Sequence, residues 1–176
     1  AWLMSLRYGR KPSRTIDICA WELDMTIKVG DKIPSATLYK LGEKGPEAVK
    51  TDDLFANKKV VLFGLPGAFT PTCSAKHVPG FLQSADKFKA KGIDAIACMS
   101  VNDAFVMGAW AKDQGTGEKV QMFGDGSAEF TKKLGIELDL TGRGLGVRSR
   151  RFSMLVDNGV VKKLNLEEGG ALEISG

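Results

Sequence analysis

Short apolar segments alternate along the chain with longer stretches in which apolar residues recur every three or four positions. The apolar segments at 60–65 and 93–101 have the length and composition of buried strands. Apolar residues at helical spacing from 78 to 88 predict an amphipathic helix between them, which ends near Gly92. Strands and helices in this order are typical of a mixed sheet covered on both faces.

The same patterns predict the remaining elements of the fold. In chain order these are a hairpin at 30–39, a helix that starts at Asn102 or Asp103 and contains Phe105, Val106, Ala109 and Trp110, a strand at 120–123, a helix at 127–134, and a hairpin with strands at 151–156 and 160–166. The Asn158-Gly159 pair is a strong turn signal for the last hairpin. Together they predict a thioredoxin-like α/β fold, with a central mixed β-sheet flanked by helices.

Composition favours one globular domain preceded by an extension. The chain has 176 residues, of which 43% are apolar, and contains no repeat and no Pro/Ser-rich linker. We therefore expect an extension at 1–24 and a domain at 25–176. The extension carries clustered basic residues but also acidic ones, so a targeting segment and an expression or gene-model artefact are equally good interpretations.

Charge, hydropathy and cysteine usage exclude several classes of partner. No apolar run approaches the roughly 20 residues of a membrane helix, so we expect no membrane contact. The net charge of +4 is spread over mixed-sign stretches, which argues against nucleic acid. Cys19, Cys73 and Cys98 form no CxxC pair and no metal-ligand pattern. Such usage is typical of a reducing compartment, and we expect a cytoplasmic protein, with organellar targeting by residues 1–24 as the alternative.

Cys73 is the strongest candidate for chemistry. Upstream of it, Thr70 suits a helix N-cap and Pro71 the first helical position, which together place Cys73 in the first helical turn. The free N–H groups and the dipole of a helix N-terminus stabilise anions, so a thiol there loses its proton more readily than a free thiol. We therefore interpret Cys73 as a nucleophile.

His77, the only histidine, follows Cys73 by one helical turn. This spacing allows a Cys–His pair. We favour the simpler interpretation of a polar helix residue near a kink, because Pro79 removes a backbone donor and clashes with the preceding turn.

Three arginines lie at the start of the strand at 151–156, namely Arg148, Arg150 and Arg151, and one of them can approach the thiol. Adjacent strand residues point to opposite faces, so only one of Arg150 and Arg151 can share a face with Cys73. A guanidinium beside a thiolate stabilises it and donates to an oxygen substrate. We expect the other two arginines of the cluster, which includes Arg148, to be solvated.

Two further features favour structural interpretations. Cys98 stands among apolar residues of a predicted strand and should behave as a small buried hydrophobe. The glycines of 142–146 superficially match a phosphate-binding loop, but no clear buried strand precedes them, no helix follows and no acidic residue lies about 20 residues on. We predict a loop there.

The residues Pro66-Gly67-Ala68-Phe69-Thr70-Pro71-Thr72-Cys73 resemble the PxxxTxxC signature of the peroxiredoxins. The strings at 76–81, 100–106 and 151–154 resemble the branch that holds plant type II peroxiredoxins and mammalian peroxiredoxin 5, and the resemblance spans 25–176. It implies a thioredoxin-like thiol peroxidase, usually a homodimer, that reduces hydrogen peroxide, alkyl hydroperoxides and peroxynitrite. The chemistry requires no metal, haem or flavin cofactor.

The resemblance also assigns roles to individual residues. Cys73 matches the peroxidatic cysteine, which peroxide converts to a sulfenic acid. Thr70 matches the hydroxyl that bonds thiolate and peroxide, and Pro66 the residue that shields the pocket. Arg151 matches the arginine of the site.

The positions of the other cysteines bear on how the sulfenic acid is reduced. Residues 165–176 contain no cysteine, where the mammalian relative carries its resolving one. Cys98 matches a position given a resolving role in some plant members. Because its context is apolar and buried, the helix that carries Cys73 would have to unwind before the sulfurs of Cys73 and Cys98 could meet. We therefore expect an external thiol, either glutathione with glutaredoxin or thioredoxin. The resemblance further implies a short helix after residue 176, so the domain is expected to be incomplete.

The main alternative is a non-enzymatic module of the same fold that acts as a redox sensor or holdase. Such a module has no need of Thr70 and Arg151 around Cys73, so their joint presence favours the peroxidase. A dithiol–disulfide oxidoreductase would need a CxxC motif, and Thr70 stands in the place of its first cysteine.

Overall fold

A seven-stranded mixed sheet organises residues 25–168 and 171–176, the part of the chain that this computed structural model describes. The strands within the described residues are β1 (Thr37–Gly42), β2 (Gly45–Lys50), β3 (Lys59–Gly64), β4 (Ala95–Ser100), β5 (Gln121–Gly124), β6 (Glu137–Leu140), β7 (Gly146–Ser149), β8 (Phe152–Asp157) and β9 (Val160–Leu166). The main sheet has the order β2-β1-β5-β4-β3-β8-β9, and β6 and β7 form a separate antiparallel pair. Strands β3, β4 and β5 are parallel and the other pairs antiparallel, which confirms the predicted mixed sheet.

Helices cover both faces of the main sheet, as predicted. They are α1 (Thr51–Phe55), α2 (Val78–Ala90), α3 (Ala104–Gln114) and α4 (Glu129–Leu134). Because side chains alternate along a strand, β3 supplies two cores. Val60 and Leu62 pack in the cluster that contains residues of α1 and α4, whereas Val61 and Phe63 pack in the cluster that contains residues of α2 and α3.

The first hairpin lies later in the chain than predicted. The expectation of a hairpin at 30–39 is wrong, because β1 and β2 pair over 37–50 with Gly42 opposite Gly45. Gly45 has a φ of 121°, which a side chain would strain. Within the segment before β1, Lys32 forms an isolated bridge to Val160.

Helix α3 buries only some of its apolar residues. The Asp103 carboxylate accepts the Val106 N–H and caps the helix, as one of the two expected caps. However, Phe105 is 61% exposed and Ala109 is exposed, whereas Ala104, Met107 and Trp110 are buried. Apolar residues occur on every side of this helix, so their spacing does not determine which side packs on the sheet.

The C-terminal hairpin forms where the sequence predicts it. Asn158 and Gly159 have φ values of 48° and 78°, as a two-residue turn of this type requires. The loop predicted at 142–146 begins in a 3₁₀ turn, Thr141–Arg143, and joins β6 to β7. The strand that precedes it, β6, contains no buried residue, in line with the expectation. The expectations for residues 1–24, including Cys19, concern residues outside the described part of the chain.

No helix among the described residues combines the length and the apolar character needed to cross a bilayer.

Candidate active site

The register between β3 and β8 brings two distant parts of the chain together. Gly64 at the end of β3 pairs with Phe152 at the start of β8, so the loop after β3 and Arg151 meet at one edge of the sheet. A Cβ on Gly64 would collide with the Phe152 ring, so this approach requires glycine.

The loop after β3 leads into the helix through Thr70. Its carbonyl accepts the Ser74 N–H at 3.0 Å, and its hydroxyl donates to the Gly67 carbonyl at 2.8 Å. Because a hydroxyl carries one hydrogen, the lone pairs of Thr70 Oγ1 remain as acceptors for an incoming O–H group. Phe69, just before it, has a φ of 61° and a ring that is 53% exposed.

Two side chains that the sequence analysis did not assign to the site hold this loop. Asn102 Oδ1 accepts the Ala68 N–H at 3.0 Å, and Arg148 Nη1 donates to the Pro66 carbonyl at 3.3 Å. The expectation of a solvated Arg148 is therefore wrong. It is also wrong for Arg150, whose Nε donates to a backbone carbonyl at 2.8 Å.

Cys73 begins one turn of π-helix, Cys73–His77, rather than a regular α-helix. Pro71 and Thr72 are helical, so Cys73 does lie in the first turn. The Val78 N–H bonds to the Cys73 carbonyl, five residues back, and α2 then starts at Val78 with Pro79 in its first turn. The break expected near His77 is present as this change of helix type.

The Arg151 guanidinium contacts the thiol directly. Its Nη2 lies 3.2 Å from Cys73 Sγ, and both side chains are buried, with exposures of 2% and 0%. Arginine stays protonated in proteins, and a buried cation requires polar or anionic partners. The pair therefore has the geometry and charge to stabilise a thiolate.

His77 is fully buried and bonds to Arg151, which the sequence analysis missed. Arg151 Nη1 lies 3.0 Å from His77 Nδ1, and His77 Nε2 lies 3.1 Å from the Ser175 carbonyl. Burial, followed by the charge of Arg151, lowers the pKa of His77 from 6.5 to about 4. A guanidinium only donates, so Nδ1 accepts and the proton of this neutral imidazole resides on Nε2.

His77 is thus a polar helix residue beside a break, as expected, but it also bonds to the site arginine. The one-turn spacing from Cys73 was the available signal, but the partner is the arginine that touches the thiol. His77 also contacts the rings of Phe63 and Phe81, at centroid distances of 5.1 and 5.6 Å, which fix its plane from the sides.

A cavity of about 820 Å³ opens beside the thiol. Pro66, Thr70 and Arg151 line it on the side of Cys73. The remaining lining residues are Pro71, Thr72, Leu138, Asp139, Leu140, Gly142, Arg143 and Leu145. Three of the four predicted site residues therefore face one space, and the fourth, Cys73, contacts Arg151 immediately behind it.

Cys98 lies in β4, paired with Phe63 and Met122, and has no exposed surface. Burial, and after it the charge of Cys73, raises the pKa of this thiol well above its ordinary value. It shares the apolar cluster of Cys73, so the predicted burial is present. Its resolving role stays a prediction.

Among residues 25–168 and 171–176, no group of three or more His, Cys, Asp or Glu side chains is arranged to hold a metal ion.

Comparison with known proteins identifies close relatives. The sequence model of the Redoxin family matches residues 28–174. Peroxiredoxin-2E, chloroplastic, of Arabidopsis thaliana is 58% identical over 150 residues, which cover 83% of this chain and 64% of that protein. Peroxiredoxin-2E-2, chloroplastic, of rice (Oryza sativa subsp. japonica) is 56% identical over 155 residues, covering 85% of this chain and 69% of the relative. The chain thus spans about two thirds of the length of these relatives.

A solved structure matches over a larger share of its own length. Reduced Prx3 of Vibrio vulnificus in complex with hydrogen peroxide superposes with a TM-score of 0.82 at 51% identity, covering 85% of this chain and 94% of that one.

Proposed function

Because this chain belongs to the peroxiredoxins of the Redoxin family, in the branch of the plant type II proteins, we propose that it is a thiol-dependent peroxidase. Its substrates are hydrogen peroxide and alkyl hydroperoxides, and peroxynitrite is a further one. The observation that carries the proposal is the buried 3.2 Å contact between Arg151 Nη2 and Cys73 Sγ at the edge of the cavity.

The reaction begins with the Cys73 thiolate. Its sulfur attacks one peroxide oxygen in line with the O–O bond, so that an S–O bond forms while the O–O bond breaks and the second oxygen departs with the electron pair. Cysteine is oxidised to a sulfenic acid, peroxide is reduced, and the departing hydroxide or alkoxide takes up a proton as water or alcohol.

The residues around the sulfur supply position and charge. The fork of Arg151 reaches Cys73 with Nη2 and can stabilise negative charge as it moves from sulfur to the leaving oxygen. The free lone pairs of Thr70 Oγ1 accept the peroxide O–H and fix the direction of the O–O axis. Pro66 forms an apolar wall of the same cavity and limits access of water.

An external thiol returns the sulfenic acid to the thiol, either glutathione with glutaredoxin or thioredoxin. Cys98 supports this assignment indirectly, because it lies inside a central strand with no exposed surface. The peroxide supplies the oxidant and the external thiol the reductant, so we propose no metal, haem or flavin.

We propose a homodimer, as the family resemblance implies. Two exposed large apolar side chains support it: Phe69 is 53% exposed and Phe105 is 61% exposed. The Phe69 ring contacts Trp110 of α3, the helix that carries Phe105. Sedimentation velocity of the purified chain tests this, and a Phe105→Glu variant should sediment as a monomer.

We propose a reducing compartment as the location. The cytoplasm is the expectation from cysteine usage, whereas the names of the Arabidopsis and rice relatives favour a chloroplast. A fluorescent fusion to the chain with its first 24 residues, compared with one to residues 25–176, distinguishes the two locations.

The test is the second-order rate of oxidation by hydrogen peroxide, followed by tryptophan fluorescence. Trp110 is the only tryptophan in the described residues, and its Nε1 donates to Ser74 Oγ at 3.0 Å, next to Cys73. We expect fast oxidation that Cys73→Ser abolishes and Cys98→Ser preserves, with a sulfenic acid trapped on Cys73. A rate no higher than that of a free thiol would favour the sensor or holdase alternative, which the relatives otherwise disfavour.

A further inference from the structure

Glu167, which directly follows β9, is a buried carboxylate with an unusual set of partners. It is 4% exposed, and its Oε1 accepts the N–H groups of Glu173, Ile174 and Ser175 at 2.7–2.9 Å. The same oxygen accepts the Ser175 hydroxyl at 2.9 Å. Burial raises the pKa of Glu167, but these four hydrogen bonds outweigh it and lower the pKa to about 2. The carboxylate therefore stays charged and holds residues 173–175, which we call the strap.

The strap reaches the active site through one atom. Ser175 is fully buried, and its carbonyl oxygen lies 3.1 Å from His77 Nε2. Since His77 is equally buried, this carbonyl is the acceptor that its Nε2–H group needs. The strap therefore supports the same tautomer that the contact with Arg151 requires.

The location of that proton matters to Arg151. With the proton on Nε2, Nδ1 accepts a hydrogen bond from Arg151 Nη1, and the other arm of the guanidinium points to Cys73. With the proton on Nδ1, two donors would face each other at 3.0 Å and the guanidinium would have to move. Glu167 itself also bonds to this arginine, because its backbone N–H donates to the Arg151 carbonyl at 2.9 Å.

We propose that Glu167 is a positioning residue of the peroxidase site, which holds the strap so that the Ser175 carbonyl fixes the His77 tautomer and thereby the orientation of Arg151 on the thiol. This inference rests on the proposed function only for its effect on rate. The tautomer that it predicts is a property of the folded chain with or without peroxide.

The experiment compares Glu167→Ala with the wild-type chain by two readouts. His77 is the only histidine, so ¹⁵N NMR of the labelled protein reports its ring nitrogens without overlap. We expect a bare Nδ1 and a protonated Nε2 in the wild type, and a shift of proton population toward Nδ1 in Glu167→Ala. The rate of Cys73 oxidation per folded molecule should fall roughly tenfold, since the guanidinium is displaced rather than removed.

Three variants separate positioning from mere stability. Glu167→Gln keeps an acceptor oxygen at the same place and should restore both the tautomer and most of the rate. Glu168→Ala removes the adjacent, fully exposed carboxylate and should change neither readout. Where Glu167→Ala does not fold, Glu167→Asp, which keeps the charge but shortens the side chain, takes its place with the same expected changes.

An unchanged tautomer and an unchanged rate in the folded Glu167 variant would overturn the inference. If the wild type itself reacts no faster than a free thiol, the proposed function fails. In that case the ¹⁵N signals of the His77 ring nitrogens still test whether Glu167 fixes the tautomer.

Discussion

Cys73 and Cys98 occupy the same apolar cluster, and neither has exposed surface, yet their surroundings differ in one respect. Cys73 stands in a π-helical turn with a guanidinium 3.2 Å from its sulfur. Cys98 stands in the middle of β4, where burial raises the pKa of its thiol. Burial alone therefore does not decide what a cysteine can do.

The difference lies in the compensation for desolvation. An apolar environment disfavours a thiolate, because the charge loses its hydration, and burial raises the pKa of Cys98 for this reason. At Cys73 a permanently charged side chain replaces that hydration, and its other arm is occupied by a neutral imidazole that cannot compete with the thiolate for it. In the proposed mechanism, this fixed cation distinguishes the reactive thiol from the unreactive one.

Removal of the Arg151 cation is expected to have the largest effect on the difference between the Cys73 and Cys98 thiols. We expect Arg151→Ala to lower the rate of Cys73 oxidation by hydrogen peroxide by about 100- to 1,000-fold, as for the loss of one preorganised donor. Arg151→Lys should lie between, since it keeps the charge but loses the fork that binds Cys73 and His77 together. Stopped-flow fluorescence measures these rates, and a loss below threefold in Arg151→Ala would contradict the assignment.

The neutral state of His77 gives the next effect, on stability. With a pKa of about 4 in the folded chain and 6.5 unfolded, His77 takes up a proton on unfolding throughout this range. Folding stability should therefore fall as the pH is lowered from 6.5 to 4, by about 3 kcal/mol in total from this group.

Urea unfolding of the wild type and of His77→Gln at a series of pH values measures this effect. The variant lacks the only histidine, so the pH dependence between 6.5 and 4.5 should flatten. Parallel curves for the two proteins would show that His77 is not buried in its neutral form.

The smallest effect concerns the second thiol. Cys98→Ala should destabilise the fold by about 1–2 kcal/mol through lost packing between β4 and its neighbours, and change the peroxide rate less than twofold. In the folded wild type, an alkylating reagent should modify Cys73 and leave Cys98 unmodified until unfolding. Rapid alkylation of Cys98 would erase the contrast between the two sites.

The sequence predicted the parts of this molecule that depend on local pattern. The strands at β3 and β4, the Asn158-Gly159 turn and the helical position of Cys73 follow from periodicity and turn chemistry, which neighbouring residues determine. The face of α3 was not predictable in this way, because apolar residues surround that helix and only the sheet decides which of them are buried.

The hydrogen bonds between the site residues could not be predicted from local sequence patterns either. The position of Arg151 beside Cys73 came from a family resemblance, whereas its bond to His77 depends on strand register over 74 residues. The bond of His77 to Ser175 spans 98 residues and gives no local signal at either end. Glu167 and Arg148 resembled ordinary surface charges for the same reason.

The contact between Cys73 and Arg151 closes a loop of 78 residues and depends on the Gly64–Phe152 register. Contacts of this separation carry a large closure entropy and are characteristic of slow-forming topologies. Helix α2 can form on a local scale, but the thiol in the π-helical turn before it remains without its cation until β8 docks. During synthesis or refolding, Cys73 therefore lacks its cationic partner until late, so the peroxide reactivity that we propose for it belongs to the folded chain.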